Sequence, residues 1–174
     1  MNEFTVSIVG EDRPGIVADV TGALLEAGGN VENCRASILA GSFAMVLAVQ
    51  VPEWVTDQDI VDLLAPTASG LGLSLGVRPA APAAADEGRE RCVITIYGAD
   101  RPGIVHGAAS ALAGVGVNIV DLSSRLVGDP PIYVLGIEAE LPDGMEPAGV
   151  EQAIRCPELA GLDMSVQSES ERLL

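Results

Sequence analysis

The sequence predicts an α+β protein written twice: two βαββαβ units, each an antiparallel sheet with its helices on one face. Three observations predict it. Gly10-Glu-Asp-Arg-Pro-Gly-Ile-Val17 returns 88 positions later as Gly98-Ala-Asp-Arg-Pro-Gly-Ile-Val105. The register holds past the motif, since Leu24 falls on Leu112, Gly28 on Gly116 and Asn30 on Asn118; a two-residue insertion around Gly128–Pro131 then moves the offset to 90. Within each copy the apolar period switches from two to about 3.6 residues and back, as strands and helices alternate.

The elements follow in order. Phe4, Val6 and Ile8 alternate with Thr5 and Ser7, a strand pattern. Asp12-Arg-Pro-Gly reads as the start of a helix, with Pro14 at the first helical position, where its missing N–H costs no bond. Ile16, Val17, Val20, Leu24 and Leu25 continue at helical spacing until Gly28-Gly29 stops the run. Copy two repeats this with Cys92, Ile94 and Ile96, then Ile104, Val105, Ala108 and Leu112, then Gly116.

Two strands come next, near 31–39 and 43–51 in copy one and 118–127 and 132–141 in copy two. Phe43, Met45, Leu47, Val49 and Val51 make one apolar face, and Tyr133, Leu135, Ile137, Ala139 and Leu141 repeat it with Glu138 and Glu140 opposite. That alternation predicts a sheet covered on one side only. A second helix is predicted from Thr56, with Asp59 three residues later, through Ile60, Val61 and Leu64. Its counterpart spans Pro147 to Ile154 and is weakened by Gly149. Closing strands are read at Leu71, Leu73, Leu75 and Val77, and at Leu162, Met164 and Val166. The order is the ferredoxin-like split βαβ pattern. Domains are expected at 1–78 and 91–170, joined by an Ala/Pro-rich linker at 79–90.

Charge narrows the function classes. Three arginines face ten carboxylates in residues 1–79, and five face twelve in residues 91–174, a net −7 in each; the whole chain carries −16. Without a basic stripe or tail, direct nucleic-acid binding is disfavoured, and the acidity equally serves solubility. No apolar run approaches 18 residues and no secretory signal opens the chain, so the expectation is a soluble cytoplasmic protein without membrane contact. Cys34, Cys92 and Cys156 are scattered and His106 is the sole histidine, so no metal site or cofactor is expected. Cys92 reads as a buried small hydrophobe.

The repeated turn carries the chemistry. A helix N-terminus presents unbonded N–H groups and partial positive charge, which suit a carboxylate. Gly15 and Gly103 leave room for a ligand or a neighbouring backbone. Asp12 and Asp100 could cap the helix or orient an ammonium. Arg13 and Arg101 could clamp a carboxylate or stand in solvent. Asn30 and Asn118 open the next strand with groups that both donate and accept. Together these suit a small zwitterion; the same residues also make an ordinary turn. His106 replaces Ala18 and reads as a surface histidine. A triad of Ser110, His106 and Asp100 would be local to one helix and has no confirming motif, so a non-catalytic protein is expected.

Two βαββαβ copies with Asp-Arg-Pro-Gly-Ile-Val after the first strand, and Gly-x-Asn-Val/Ile before the second, resemble tandem ACT domains. Across nearly the whole chain the arrangement is similar to the glycine cleavage system transcriptional repressor family. The resemblance implies an amino-acid-binding regulator that acts through a protein partner, a transcription factor or a metabolic enzyme. It implies ligand contacts from Asp12, Arg13, Gly15 and Asn30, and from Asp100, Arg101, Gly103 and Asn118, where two domains meet. It also implies side-by-side pairing of domains, within one chain or between chains of a homo-oligomer. A ligand-free assembly module is the alternative, favoured by Cys34, Ala36 and Ile38, and by Leu122 and Leu126, on exposed strands.

Overall fold

The computed structural model of the chain describes residues 1–81 and 89–168. The stretch 82–88 of the expected linker lies outside the described residues. Two compact units lie on either side of it. The first runs β1 (Asn2–Glu11), α1 (Ile16–Glu26), β2 (Asn30–Leu39), β3 (Ser42–Val51), α2 (Asp57–Leu71) and β4 (Ser74–Pro79). The second runs β5 (Arg91–Gly98), α3 (Ile104–Gly114), β6 (Asn118–Val127), β7 (Ile132–Glu140), α4 (Pro147–Ala153), a 3-10 turn (Pro157–Leu159) and β8 (Asp163–Ser168).

Each unit is one four-stranded antiparallel sheet, ordered β2-β3-β1-β4 and β6-β7-β5-β8. This is the ferredoxin-like fold that the repeated pattern predicts. Register follows from alternation: Val6 stands opposite Leu47 and Val77, and Ile94 opposite Ile137 and Val166. A one-residue slip would turn the buried column to water, so the pairing is strongly specified. The first core gathers Phe4, Val6 and Ile8 with Met45, Leu47 and Val49 under Ile16, Val20, Leu24, Ile60 and Leu64. The second gathers Cys92, Ile94 and Ile96 with Leu135 and Ile137 under Ile104, Ala108, Leu112 and Val150. The inserted residues fall in the β6–β7 turn, so the duplication changes loop length and leaves the ladders intact.

Three boundaries differ from the sequence reading. Pro14 is not the first helical residue; α1 starts at Ile16, after a left-handed Gly15 (φ 100°) that an L side chain adopts only with strain. Leu71 belongs to α2, which carries Pro66 inside it on an exposed position, where the carbonyl it leaves unbonded can reach water. Leu73 and Leu162 therefore precede their strands as packed turn residues, rather than opening them. In copy two the second helix is only seven residues, and the 3-10 turn takes the place of its missing length.

Thr56 caps α2 as the spacing predicts. Its hydroxyl accepts from Asp59 N at 3.2 Å, while Thr56 N donates to Asp59 Oδ2 at 2.8 Å, a reciprocal capping box. These bonds, backbone first and then the Thr56 hydroxyl, hold the Asp59 carboxyl below its ordinary range. Replacing Thr56→Ala should cost about 1 kcal/mol in urea denaturation at neutral pH. Because the folded pKa is depressed, the Asp59 contribution is present above the unfolded carboxylate pKa and lost as pH falls through the folded one. The difference between variant and parent should therefore shrink in acid.

Candidate functional site

Both repeated turns sit between the first strand of their unit and the first helix. The strand ends at Glu11 or Gly98, and the chain must reverse onto the covered face of the sheet. Gly15 (φ 100°) and Gly103 (φ 97°) make that reversal as helix N-caps, and neither helix has a side-chain cap. The first helical bonds run from Asp19 N to Gly15 O at 2.9 Å and from Gly107 N to Gly103 O at 2.8 Å. The three N–H groups before each of them point out of the helix end with no side chain capping them. A Cβ built on Gly103 would meet nothing within 4 Å, and one on Gly15 only Asp19 Oδ2 at 3.7 Å. Both turns are thus open as well as left-handed.

Asp12, Arg13, Asp100 and Arg101 stand at these turns, whereas Asn30 and Asn118 lie at the opposite end of their sheets, level with Glu3 and Arg91. Asp12, Arg13, Asp100 and Arg101 are all exposed, as are Asn30 and Asn118. Asp12 does not cap α1; its own N–H donates to Gly41 O at 2.9 Å, tying the turn to the β2–β3 hairpin. Asp100 does not cap α3 either. A glycine, three residues after each aspartate, holds the N-cap position instead. Arg13 Nη2 lies 3.6 Å from Glu11 Oε2, a loose surface pair worth little on its own. Arg101 Nη2 donates to the carbonyls of Glu158 at 2.9 Å and Ala160 at 2.7 Å.

Asn30 and Asn118 begin β2 and β6, facing Gln50 and Glu140 across their ladders. The Glu140 carboxyl is held below its ordinary range, first by Arg91, whose Nη2 donates at 2.7 Å, and also by the Asn118 side chain. His106 is exposed beside the Glu158 carboxylate, which hydrogen bonds from its own backbone N–H and from Cys156 hold low, with His106 adding attraction. Two residues that sequence reasoning passed over belong here. Asp19 stands over the first turn, and Glu158 packs on α3 at Gly107. The pairing of Asp19 with Gly107 in the repeat was visible in the sequence; the 3-10 turn that explains it was not.

Chemically, each turn offers N–H donors, helix-end positive potential and nearby polar side chains, and no nucleophile–base pair. Among the described residues no group of three or more His, Cys, Asp or Glu side chains is placed to hold a metal ion. No described helix is long and apolar enough to cross a membrane. Cys92 is buried at 1% exposure, and desolvation, helped by Glu90, pushes its thiol up to about 11.

Comparison with known proteins agrees with this architecture. The ACT domain profile matches residues 2–78 and again 90–167. The solved structure of an unknown protein from Galdieria sulphuraria is 29% identical, with a TM-score of 0.81 over 96% of this chain and 98% of that one. A candidate glycine cleavage system transcriptional repressor shares the fold at 17% identity, with a TM-score of 0.71 over 96% of each chain. A UPF0237 protein of Methanopyrus kandleri is 40% identical over 53 residues, 30% of this chain. The match spans 59% of that relative's length. A UPF0237 protein of Methanococcus maripaludis is 30% identical over 78 residues, covering 45% of this chain and 83% of its own.

The left-handed glycines set a first check. Gly15→Ala and Gly103→Ala should each cost about 1–2 kcal/mol in denaturant melts, from backbone strain alone, since neither new Cβ meets a close neighbour. Thiol labelling of the native protein gives a second: exposed Cys34 should react promptly, while Cys92 should react only on unfolding.

Proposed function

The chain belongs to the ACT-domain family, and from that premise we propose that it is a non-catalytic sensor of small amino acids acting through a protein partner. The observation that carries this reading is the repeated open turn: a left-handed glycine, uncapped helical N–H groups, and an Asp and an Arg beside them in sequence. A zwitterion has a carboxylate for the helix end and an ammonium for carboxylate oxygens. The proposed contributors at the turns are Asp12, Arg13 and Gly15 in the first unit, and Asp100, Arg101 and Gly103 in the second; Asn30 and Asn118 stand at the other end of their sheets, out of reach of a small ligand held at the turn of the same unit. The two sets start from the same residue types and differ in what holds them.

The proposal of a protein partner rests on charge. A chain of net −16 with nine arginines and no lysine repels phosphate backbones, so control of transcription would run through a DNA-binding protein. Ligand acts on such an equilibrium only by its differential affinity for two states. The likeness to the candidate repressor is one of fold, so the amino acid is left to experiment. An assembly module without ligand is the second reading, favoured by apolar side chains on the outer strands β2 and β6. Ile38 is 61% exposed, Leu39 77% and Leu126 58%.

Isothermal calorimetry of the chain against the proteinogenic amino acids, glycine and serine first, separates the two. A saturable heat with one of them is expected, abolished in the double variant Gly15→Val, Gly103→Val while far-UV circular dichroism still reports a fold. Heat that survives in the folded double variant removes the turns from the site. Silence of the parent chain across the set, with stable self-association, favours the assembly reading.

A further inference from the structure

The duplication lets the two turns be compared residue by residue. Arg13 has a loose ion pair to Glu11 at 3.6 Å. Arg101 makes two short hydrogen bonds to main-chain carbonyls, Glu158 O at 2.9 Å and Ala160 O at 2.7 Å. Those acceptors belong to the 3-10 turn Pro157–Leu159 and its end, an element the first unit lacks because α2 continues to Leu71. The helix beneath has adapted. Position 19 is aspartate in α1 and its counterpart in α3 is Gly107, where an added Cβ would stand 2.6 Å from Glu158 Cβ. With Asp19 in place, the first unit keeps an open groove of about 580 Å³ between α1 and α2, lined by Ala18, Asp19, Gly22, Thr67 and Gly70. With Gly107, Glu158 and Leu159 pack against the helix instead.

A guanidinium whose two Nη2 hydrogens already serve carbonyls must give one up to grip a carboxylate bidentately.

We infer that the two turns are not interchangeable: Arg101 is a positioning residue that fastens the Pro157–Ala160 segment across the start of α3, and only the first turn can grip a ligand carboxylate with both arms of its arginine without giving up a main-chain bond. The ligand half of this rests on the amino-acid-binding reading; the fastening half does not. A chain built this way takes up one zwitterion through an arginine, at the first unit, and the second turn serves as a fixed structural copy.

The test pairs two measurements on the full chain. In hydrogen exchange, Arg101→Gln should speed exchange at Leu159, Ala160 and Leu162, whose amides bond to Cys156 O, Pro157 O and Leu159 O, by about fivefold or more. Arg13→Gln should leave those amides as they are. In calorimetry with the proteinogenic amino acids, glycine and serine first, the parent should bind one molecule per chain, and Arg13→Gln should weaken that binding about tenfold. Two equal sites per chain, or a loss in Arg101→Gln matching that in Arg13→Gln, would overturn the inference. So would unchanged exchange in Arg101→Gln. A parent chain that binds none of the amino acids refutes the ligand reading, and the exchange result then decides the role of Arg101 by itself.

Discussion

The one-sided burial of the central strand pair is the constraint on which everything else in each unit depends. Val6 against Leu47, and Ile94 against Ile137, stand in the middle of a column that helices cover on one face only. That column fixes register, because any odd slip exposes it. Register fixes where the first strand ends, and therefore where the chain must turn to lay a helix back over the column. The glycine turn is the solution to that reversal, found in the same place twice. The open turn is thus a by-product of the fold's geometry, and it comes with uncapped N–H groups because a left-handed glycine stands where a capping side chain would be.

Duplication explains why the two units agree and where they part. The positions that build the column are repeated in kind: Phe4 with Cys92, Val6 with Ile94, Ile8 with Ile96, Leu24 with Leu112. Substitution has concentrated around the second helix of each unit. The first has a capped fifteen-residue α2, and the second a seven-residue α4 followed by a 3-10 turn. Shortening a helix leaves its core contribution to be supplied otherwise, and buried Ile154, Leu159 and Leu162 supply it. Arg101 and Gly107 accommodate the new segment. In the asymmetry we propose, ligand binding falls to the first turn, which has fewer internal obligations.

Much of this was legible in the sequence because it is periodic. Alternation at 43–51 and 132–141 located the central strands to within a residue, and Thr56 with Asp59 announced the capped helix. What was not legible depends on conformation or on distant partners. Pro14 matches a first-turn proline, yet the positive φ of Gly15 moves the helix start two residues on. Leu71, Leu73, Leu75 and Val77 alternate as a strand does, but the helix extends through Leu71 because its last turn closes on Gly72, also left-handed. Asp12 and Asp100 have the composition of caps without the geometry. That Arg101 reaches carbonyls 57 and 59 residues away is a tertiary fact, and no local pattern encodes it.

The account stands or falls on the first turn as a ligand site, and residue-resolved NMR addresses it most directly. Titrating the ¹⁵N-labelled chain with glycine, then serine, then the remaining amino acids should give saturable shifts centred on the amides of Gly15, Ile16 and Val17, with Gly103 and Ile104 little moved. Shifts that centre elsewhere, or none with any amino acid, would contradict it.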